Sequence, residues 1–190
     1  MWYKIGRALF WILFKIFFRL EIKGWEFLPK EKGFILVSNH VSNLDPIVLG
    51  VASPANLYFM AKEELFRNPC FGWLLHKVNA FPLRRKGADL AAIRTAIKRV
   101  NAGGALLIFP EGTRSTDGKL GPGQEGVGFL VDKLNVPVIP AFIKGTDKAM
   151  PKGSAFIRLA KISVRFGKQI SLERRVAYSD VVVTVMQAIK

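Results

Sequence analysis

Five short apolar runs along the chain predict the buried strands of a sheet. Each run is continuous rather than alternating, which is typical of strands covered on both faces. Segments of helical length or spacing lie between them, so the sequence predicts an α/β domain whose mixed, largely parallel central sheet is flanked by helices. Residues 155–166 predict one or two further strands. The five strands are expected at 34–38, 57–61, 80–83, 105–109 and 136–143, and helices at 45–52, 63–78, 88–101, 125–134 and 179–190.

Residues 2–20 predict a helix that is largely apolar and carries a narrow basic stripe. The cations at positions 4, 7, 15 and 19 fall within a sector of roughly 120° on a helix. The longest uncharged run, 8–14, is much shorter than the ~20 apolar residues of a membrane span. We therefore expect an amphipathic helix in the membrane interface, with a tilted or partial span as the alternative. The side chains expected to dock on the membrane are Trp2, Phe10, Trp11, Phe14, Phe17 and Phe18.

The length of 190 residues fits one sizeable hydrophobic core. We expect residues 1–32 to form the interfacial helix and a linker, with 22–32 as the linker. Residues 33–190 then form the α/β domain.

Lys and Arg outnumber Asp and Glu by 29 to 14, so the surface should attract polyanions. A mean hydropathy of +0.22 and 15 Phe residues favour an anionic membrane surface over nucleic acid. The single cysteine, Cys70, fits a reducing compartment, and we expect the protein at the cytoplasmic face of the cell's inner membrane. Two histidines and one cysteine argue against a structural zinc site, and no metal is expected.

A histidine and an aspartate follow the first predicted strand. His40 lies in the turn after 34–38, and Asp45 followed by Pro46 is a natural helix start. A tight turn can fold the carboxylate against the imidazole, which would fix the tautomer and stabilise an imidazolium. In isolation such a pair more often closes a turn and caps a helix. Polar groups also follow two other predicted strands. Their presence favours the reading in which His40 is a general base and Asp45 is its partner.

Cations and hydroxyl groups follow those two later strands. The residues 84–86, Arg-Arg-Lys, come directly after a buried run and suit a phosphate group, although a solvated charge run is the alternative. The strand 105–109 leads into 110–115, Pro-Glu-Gly-Thr-Arg-Ser. Its carboxylate, hydroxyls and guanidinium can bind a phosphate and a neighbouring hydroxyl together.

These motifs resemble the glycerolipid acyltransferases, specifically the 1-acylglycerol-3-phosphate acyltransferases. The resemblance rests on Asn39-His40 with Asp45 after four intervening residues, and on Phe-Pro-Glu-Gly-Thr-Arg-Ser at 109–115. It extends over about 24–145, because Val-Pro-Val-Ile-Pro at 136–140 is similar to the family's fourth motif. It implies transfer of a fatty acyl group from acyl-CoA or acyl carrier protein to the sn-2 hydroxyl of lysophosphatidic acid, which makes phosphatidic acid for phospholipid synthesis.

The resemblance also implies a role for individual residues. His40 would be the catalytic base and Asp45 its partner, and 33–190 would be the acyltransferase domain. The residues implied in the acceptor's phosphate and glycerol site are Arg84, Arg85, Glu111, Gly112, Thr113 and Arg114. An N-terminal membrane-docking helix is implied as well, and 2–20 match it.

The loop after the second motif departs from the family. Relatives often place a lysine where this chain has Gln124 and Glu125, so that phosphate contact lacks its usual cation. Glycines at 121, 123 and 126 match a dinucleotide fingerprint, but such a fingerprint follows its strand directly and this one does not. We expect no cofactor. Cys70 and His76 are expected to be packing residues of one helix.

The predicted mechanism is direct acyl transfer without an acyl-enzyme, with His40 removing the acceptor's proton. Two alternatives stay open. Another lysolipid could be the acceptor, or the chain could be a non-enzymatic basic membrane-binding protein.

Overall fold

The computed structural model describes residues 2–30, 33–84, 89–172 and 176–189. Seven strands within these ranges form one sheet in the order β1-β7-β6-β2-β5-β3-β4. Neighbouring strands are parallel except for the antiparallel pair β6 and β7, so the predicted α/β fold is confirmed. The strands are β1 (Glu21–Lys23), β2 (Phe34–Ser38), β3 (Leu57–Lys62), β4 (Ala80–Leu83), β5 (Ala105–Ile108), β6 (Val138–Lys144) and β7 (Ser163–Phe166).

Helices cover both faces of the sheet. They are α1 (Trp2–Phe18), α2 (Asp45–Ala52), α3 (Pro69–Lys77), α4 (Leu90–Asn101), α5 (Glu125–Leu134), α6 (Thr146–Ala149) and α7 (Tyr178–Ala188), with one-turn 3-10 helices at Trp25–Phe27 and Glu63–Phe66.

One predicted helix differs from the structure. The helix predicted at 63–78 is divided, because Asn68 caps α3 by accepting the Phe71 N–H at 3.0 Å and Pro69 cannot continue a preceding helix. The stretch 155–166, where one or two strands were predicted, contains the one strand β7, and residues 151–162 have no regular structure.

The central strand β2 places alternate side chains in two separate cores. Phe34 and Leu36 pack with α1 and α2 on one face, and Ile35 and Val37 pack with α4, α5 and α7 on the other. All five residues of β2 are buried. The loop that follows β2 therefore begins from a rigid point at the carboxyl edge of the sheet, the edge where the parallel strands end.

The N-terminal segment packs as part of the same core. The stretch predicted as a linker contains β1, which pairs with β7 at one side of the sheet, and Leu20 and Leu28 are buried in the α1 and α2 core. At the end of α1, Arg19 adopts the left-handed conformation, and the Leu20 N–H donates to the Phe14 carbonyl at 3.1 Å. The left-handed residue ends the helix and turns the chain directly into the sheet.

The membrane-docking prediction for Phe14 and Phe18 is corrected by the packing of α1. Their side chains are only 3% and 9% exposed and stack on each other with ring centroids 5.1 Å apart. Arg7 lies on the same helical face and donates to the carbonyls of Ser53 and Pro54 at 3.1 and 2.6 Å. Arg7, Phe14 and Phe18 are seven and four positions apart, a spacing that places them on one face of the helix. This face of α1 packs on α2.

The other predicted docking residues, Trp2, Phe10, Trp11 and Phe17, are exposed. In the ranges that the structure describes, no helix is both long enough and apolar enough to cross a membrane.

Candidate active site

The loop between β2 and α2 brings His40 and Asp45 together. The imidazole Nδ1 lies 2.8 Å from Asp45 Oδ2, and the same oxygen accepts the backbone N–H groups of Val41 at 2.7 Å and Ser42 at 2.8 Å. Asp45 is fully buried and is the first residue of α2, where the helix dipole favours a negative charge. The carboxylate is therefore fixed before any substrate binds.

The imidazole of His40 is held from a second side by an aromatic ring. Phe109, directly after β5, stacks on it with centroids 4.0 Å apart and planes 15° apart. A carboxylate acceptor at Nδ1 keeps the proton on that nitrogen, so Nε2 on the opposite side of the ring is the basic nitrogen. The His40 side chain keeps 15% exposure.

Glu111 joins the β2–α2 loop to the β5–α5 loop through its buried carboxylate. Oε1 accepts the His40 N–H at 2.9 Å, and Oε2 accepts the Gly121 N–H at 2.9 Å. The Ser115 N–H in turn donates to the His40 carbonyl at 2.8 Å. Each Glu111 oxygen is already bonded to the backbone, which indicates that Glu111 positions His40.

No role for Asn39 was predicted from the sequence, although it precedes His40. Its buried side-chain amide donates to the Ile143 carbonyl at 2.9 Å and accepts the Ile143 N–H at 2.8 Å, so the end of β2 is fastened to β6. Ser42 is another anchor, since its hydroxyl donates to the Met150 carbonyl at 2.7 Å. A polar residue directly after a buried strand must have hydrogen-bond partners, and that is the signal that could have identified Asn39.

The Gly112 to Arg114 turn lies beside His40. Gly112 has φ of +66°, and a Cβ there would lie 3.1 Å from Gln124 Cγ, so the turn requires glycine. Thr113 is exposed and Arg114 is half-buried. The Lys152 ammonium donates to the Arg114 carbonyl at 2.7 Å, which brings a cation that the sequence did not indicate to this turn.

Arg84 lies at the same sheet edge but farther from His40. It follows β4, three strand positions from β2, which corresponds to about 14 Å. Its backbone N–H donates to Asp89 Oδ2 at 2.8 Å, and its exposed Nε lies 3.8 Å from the same oxygen. The backbone N–H groups of Arg84 and then Ala92 hold the pKa of Asp89 below its usual range. Arg85 lies outside the described residues.

Cys70 and His76 were expected to be packing residues, and the structure corrects this. Both are exposed on α3, and the His76 ring lies 5.0 Å from the Phe66 ring. Neither is part of the group of His40, Asp45 and Glu111 at the carboxyl edge of the sheet.

The fold is an α/β fold, and loops at the carboxyl edge of its sheet bring a histidine next to a buried carboxylate. A model of the acyltransferase family matches residues 19–144, and the chain belongs to this family. The resemblance seen in the motifs is therefore confirmed.

Several named proteins are similar to this chain. A 1-acyl-sn-glycerol-3-phosphate acyltransferase of Bacillus subtilis is 30% identical over 152 residues, which cover 80% of this chain and 73% of the relative. A chloroplastic enzyme of the same name from Brassica napus is 36% identical over 141 residues, covering 73% of this chain. This chain spans only 41% of that longer relative.

The fold is also similar to a solved structure, the 1-acyl-sn-glycerophosphate (LPA) acyltransferase PlsC from Thermotoga maritima. The TM-score is 0.79 at 30% identity, and the match covers 99% of this chain and 76% of the other.

Proposed function

We propose that this protein transfers a fatty acyl group from an acyl thioester to the sn-2 hydroxyl of 1-acylglycerol-3-phosphate, which makes phosphatidic acid for phospholipid synthesis. The observation that carries the proposal is the 2.8 Å hydrogen bond between His40 Nδ1 and the buried Asp45 carboxylate. The relatives' names support the choice of lysophosphatidic acid as the acceptor.

His40 is the general base in this mechanism. Its Nε2 takes the hydroxyl proton as the acceptor oxygen attacks the thioester carbonyl carbon, and the negative charge of Asp45 stabilises the imidazolium. The carbon–sulfur bond then breaks, and the thiolate leaves without strong acid assistance because an aliphatic thiol has a pKa of about 8.5. The imidazolium returns its proton to the thiolate or to solvent. No protein nucleophile takes part, since the acceptor supplies the attacking oxygen.

The acceptor phosphate is bound by the cations at the carboxyl edge. Arg114 and Thr113 approach from the β5 side, and Arg84 and Arg85 follow β4. Gly112 shapes the turn that presents the first two. These groups fix the hydroxyl against His40, so they contribute by positioning. Glu111 positions His40 through its backbone N–H, and its carboxylate oxygens have further lone pairs that can accept a hydroxyl of the acceptor.

Oxyanion stabilisation comes from backbone N–H groups near the start of α2. Four candidates already have partners, because the N–H groups of Val41 and Ser42 donate to Asp45, that of Leu44 to the Ser42 hydroxyl and that of Asp45 to the Ser42 carbonyl. Asn43 is therefore the candidate donor in this loop.

The outer face of α1 docks on an anionic membrane at the cytoplasmic face of the inner membrane. Trp2, Phe10, Trp11 and Phe17 are the exposed aromatic contacts of α1, and Lys4 and Lys15 are also exposed. The C-terminal end of α1 reaches the carboxyl edge, because the Phe18 carbonyl accepts the Ile162 N–H at 3.0 Å just before β7. The lipid acceptor can thus enter the site from the bilayer.

The test measures thiol release and lipid product together. Purified protein in mixed micelles receives acyl-CoA or acyl carrier protein thioester, with lysophosphatidic acid, with lysophosphatidylcholine, or with no acceptor. We expect thiol release only with an acceptor, and phosphatidic acid as the favoured product. Acceptor-independent release would show a thioesterase, equal use of both lysolipids would remove the proposed selectivity, and vesicle binding without transfer would show a non-enzymatic membrane protein.

A further inference from the structure

Besides α1, a second part of the chain exposes large apolar side chains. It is the segment of residues 151–161, between α6 and β7. Phe156 is 80% exposed, Leu159 75% and Ile157 59%. Among the described residues, Phe156 and Leu159 are the two most exposed large apolar side chains. Three such side chains within four positions form a patch rather than scattered surface residues, and a patch of this kind marks an interaction site.

The backbone of the 151–161 segment is held in place. The Arg158 N–H donates to the Ala149 carbonyl at 2.8 Å, and the Ser154 hydroxyl donates to the Phe156 carbonyl at 3.1 Å. After the segment, Ile162 is fully buried. At Gly145 an added Cβ would lie 2.0 Å from the Lys161 carbonyl oxygen, so the segment packs closely on the end of β6. The apolar side chains are therefore displayed outward from a fixed backbone.

The charges of the 151–161 segment indicate which kind of partner it binds. Lys152, Arg158 and Lys161 are exposed among the apolar side chains, and the sequence from 148 to 170 contains no Asp or Glu. Lys161 pairs with Glu21 at 2.7 Å, and Arg158 lies between Ile157 and Leu159. Apolar side chains interleaved with cations fit the interface of an anionic bilayer, where the former enter the acyl region and the latter meet phosphates.

The segment lies beside the candidate active site. The Met150 carbonyl at its start accepts the Ser42 hydroxyl, and Lys152 donates to the Arg114 carbonyl. Its far end meets α1, because Ile162 bonds to Phe18. The segment therefore runs along the carboxyl edge from the His40 and Arg114 loops to the end of α1.

We propose that the 151–161 segment is a second membrane anchor that inserts Phe156, Ile157 and Leu159 into an anionic bilayer. It rests on the proposed function only in that a lipid acceptor requires the site to face a membrane. Attachment through α1 alone leaves the molecule free to roll about the helix axis. A second contact at the carboxyl edge removes that freedom and holds the opening near His40 against the lipid surface.

Site-specific labels test the insertion directly. Cys70 is the single cysteine of the chain, so a Cys70→Ser background accepts Phe156→Cys, Leu159→Cys or, as a matched exposed control on α7, Val183→Cys. Each cysteine carries an environment-sensitive fluorophore, and vesicles contain phosphatidylcholine alone or mixed with phosphatidylglycerol. We expect the labels at 156 and 159, and not at 183, to shift to the blue on anionic vesicles and to be quenched by nitroxide-labelled acyl chains. Unquenched labels at 156 and 159 on vesicle-bound protein would overturn the anchor.

Turnover separates this proposal from the proposed function. The double variant Phe156→Ser with Leu159→Ser, and Arg158→Gln alone, should lower the ratio of lysophosphatidic acid turnover on anionic vesicles to turnover in micelles several-fold. Val183→Ser should leave this ratio unchanged. Quenched labels on a protein without transferase activity would support the anchor and refute the function. Normal turnover on vesicles by the double variant, with unquenched labels, would refute the anchor alone.

Discussion

At the scale of single residues, one carboxylate oxygen organises the loop that carries the candidate base. Asp45 Oδ2 has three donors, whereas Oδ1 is buried and has no hydrogen-bond partner among the described residues. A buried carboxylate that lacks part of its hydrogen bonding interacts more strongly with a neighbouring imidazolium than a solvated one does. Asp45 is thus suited to stabilise the charge that His40 gains when it accepts a proton.

Replacing Asp45 by Asn tests this electrostatic role. The amide oxygen can still accept the N–H groups of Val41 and Ser42, but an amide facing Nδ1 no longer compensates a positive charge on the ring. We expect kcat to fall by about 10²–10⁴, as for a general base that loses its orienting carboxylate. Asp180→Asn, in the exposed first turn of α7, is the control for a carboxylate away from the site. Steady-state kinetics check this, and an unchanged kcat in Asp45→Asn would contradict it.

Glu111 gives a second prediction at this scale. In Glu111→Gln the side-chain NH₂ would face the N–H of either His40 or Gly121, which leaves that N–H without an acceptor. The expected loss in the free energy of unfolding is about 1–3 kcal/mol. Thermal unfolding and turnover should both decline, because His40 loses a backbone anchor. Glu125→Gln, an exposed neighbour at the start of α5, should change neither by a comparable amount. Equal effects of the two substitutions would argue against the positioning role.

The range of each interaction explains which parts of the site the sequence could predict. His40 and Asp45 are five residues apart around a helix start, so their contact follows from local signals. The bond from His40 to Glu111 spans 71 residues, and those from Asn39 to Ile143 span 104. Such contacts depend on strand order, which no local pattern contains.

At the scale of elements, α1 combines a packed face and an exposed apolar face. Its apolar residues surround most of the helix, so the sequence predicted the helix but not which aromatic side chains turn inward.

The strands and helices with strong local signals were predicted well, and β2, β4, α2 and α5 have the expected bounds. The three-residue β1 was not predicted, because its only strand partner is β7, about 140 residues away.

Two aromatic residues of α1 separate stability from membrane docking. Phe14→Ala removes a buried ring and should cost about 3–5 kcal/mol of the free energy of unfolding. Phe17→Ala removes an exposed ring, so it should leave thermal unfolding nearly unchanged and weaken binding to anionic vesicles. Calorimetry and vesicle flotation measure the two effects. A large stability loss in Phe17→Ala, or unchanged flotation, would refute the assignment of the two faces.

Helix α4 offers a prediction with a pH dependence. Asp89 Oδ1 accepts the N–H groups of Ala91 and Ala92, and Oδ2 accepts the Arg84 N–H, so one carboxylate caps α4 and joins it to the end of β4. Asp89→Ala should cost about 1 kcal/mol at neutral pH, the usual value for losing an N-cap.

The bonds to Arg84 and Ala92 lower the pKa of Asp89 in the folded state, so the native state holds its proton less tightly than the unfolded chain. The contribution is then present above the unfolded pKa of about 3.9 and is lost as the pH falls through the lower folded value. The difference in Tm between wild type and Asp89→Ala should shrink in acid. A difference that grows in acid would contradict the sign of this shift.

At the scale of the whole molecule, the carboxyl edge of the sheet, which carries the candidate active site, lies beside two candidate membrane contacts. The loop with His40 follows β2, and the loop with Glu111 follows β5. The 151–161 segment follows β6 and the short helix α6, and α1 ends at the same edge. In the proposed function, a net charge of +15 attracts the molecule to anionic lipid before any apolar side chain inserts. The fold thereby brings the proposed base, a set of cations and the proposed lipid-facing surface to one side of the protein.

The most direct test of this account compares the two histidines of the chain. His40→Ala removes the proposed base, and His76→Ala removes an exposed histidine of α3 that lies outside the site. Phosphatidic acid formation is measured by mass spectrometry with saturating acyl thioester and lysophosphatidic acid in micelles. We expect His40→Ala to lose about 10²–10⁴ in kcat, while His76→Ala retains wild-type turnover and both remain folded. Wild-type turnover in His40→Ala would contradict the claim that the His40 imidazole takes the acceptor's proton.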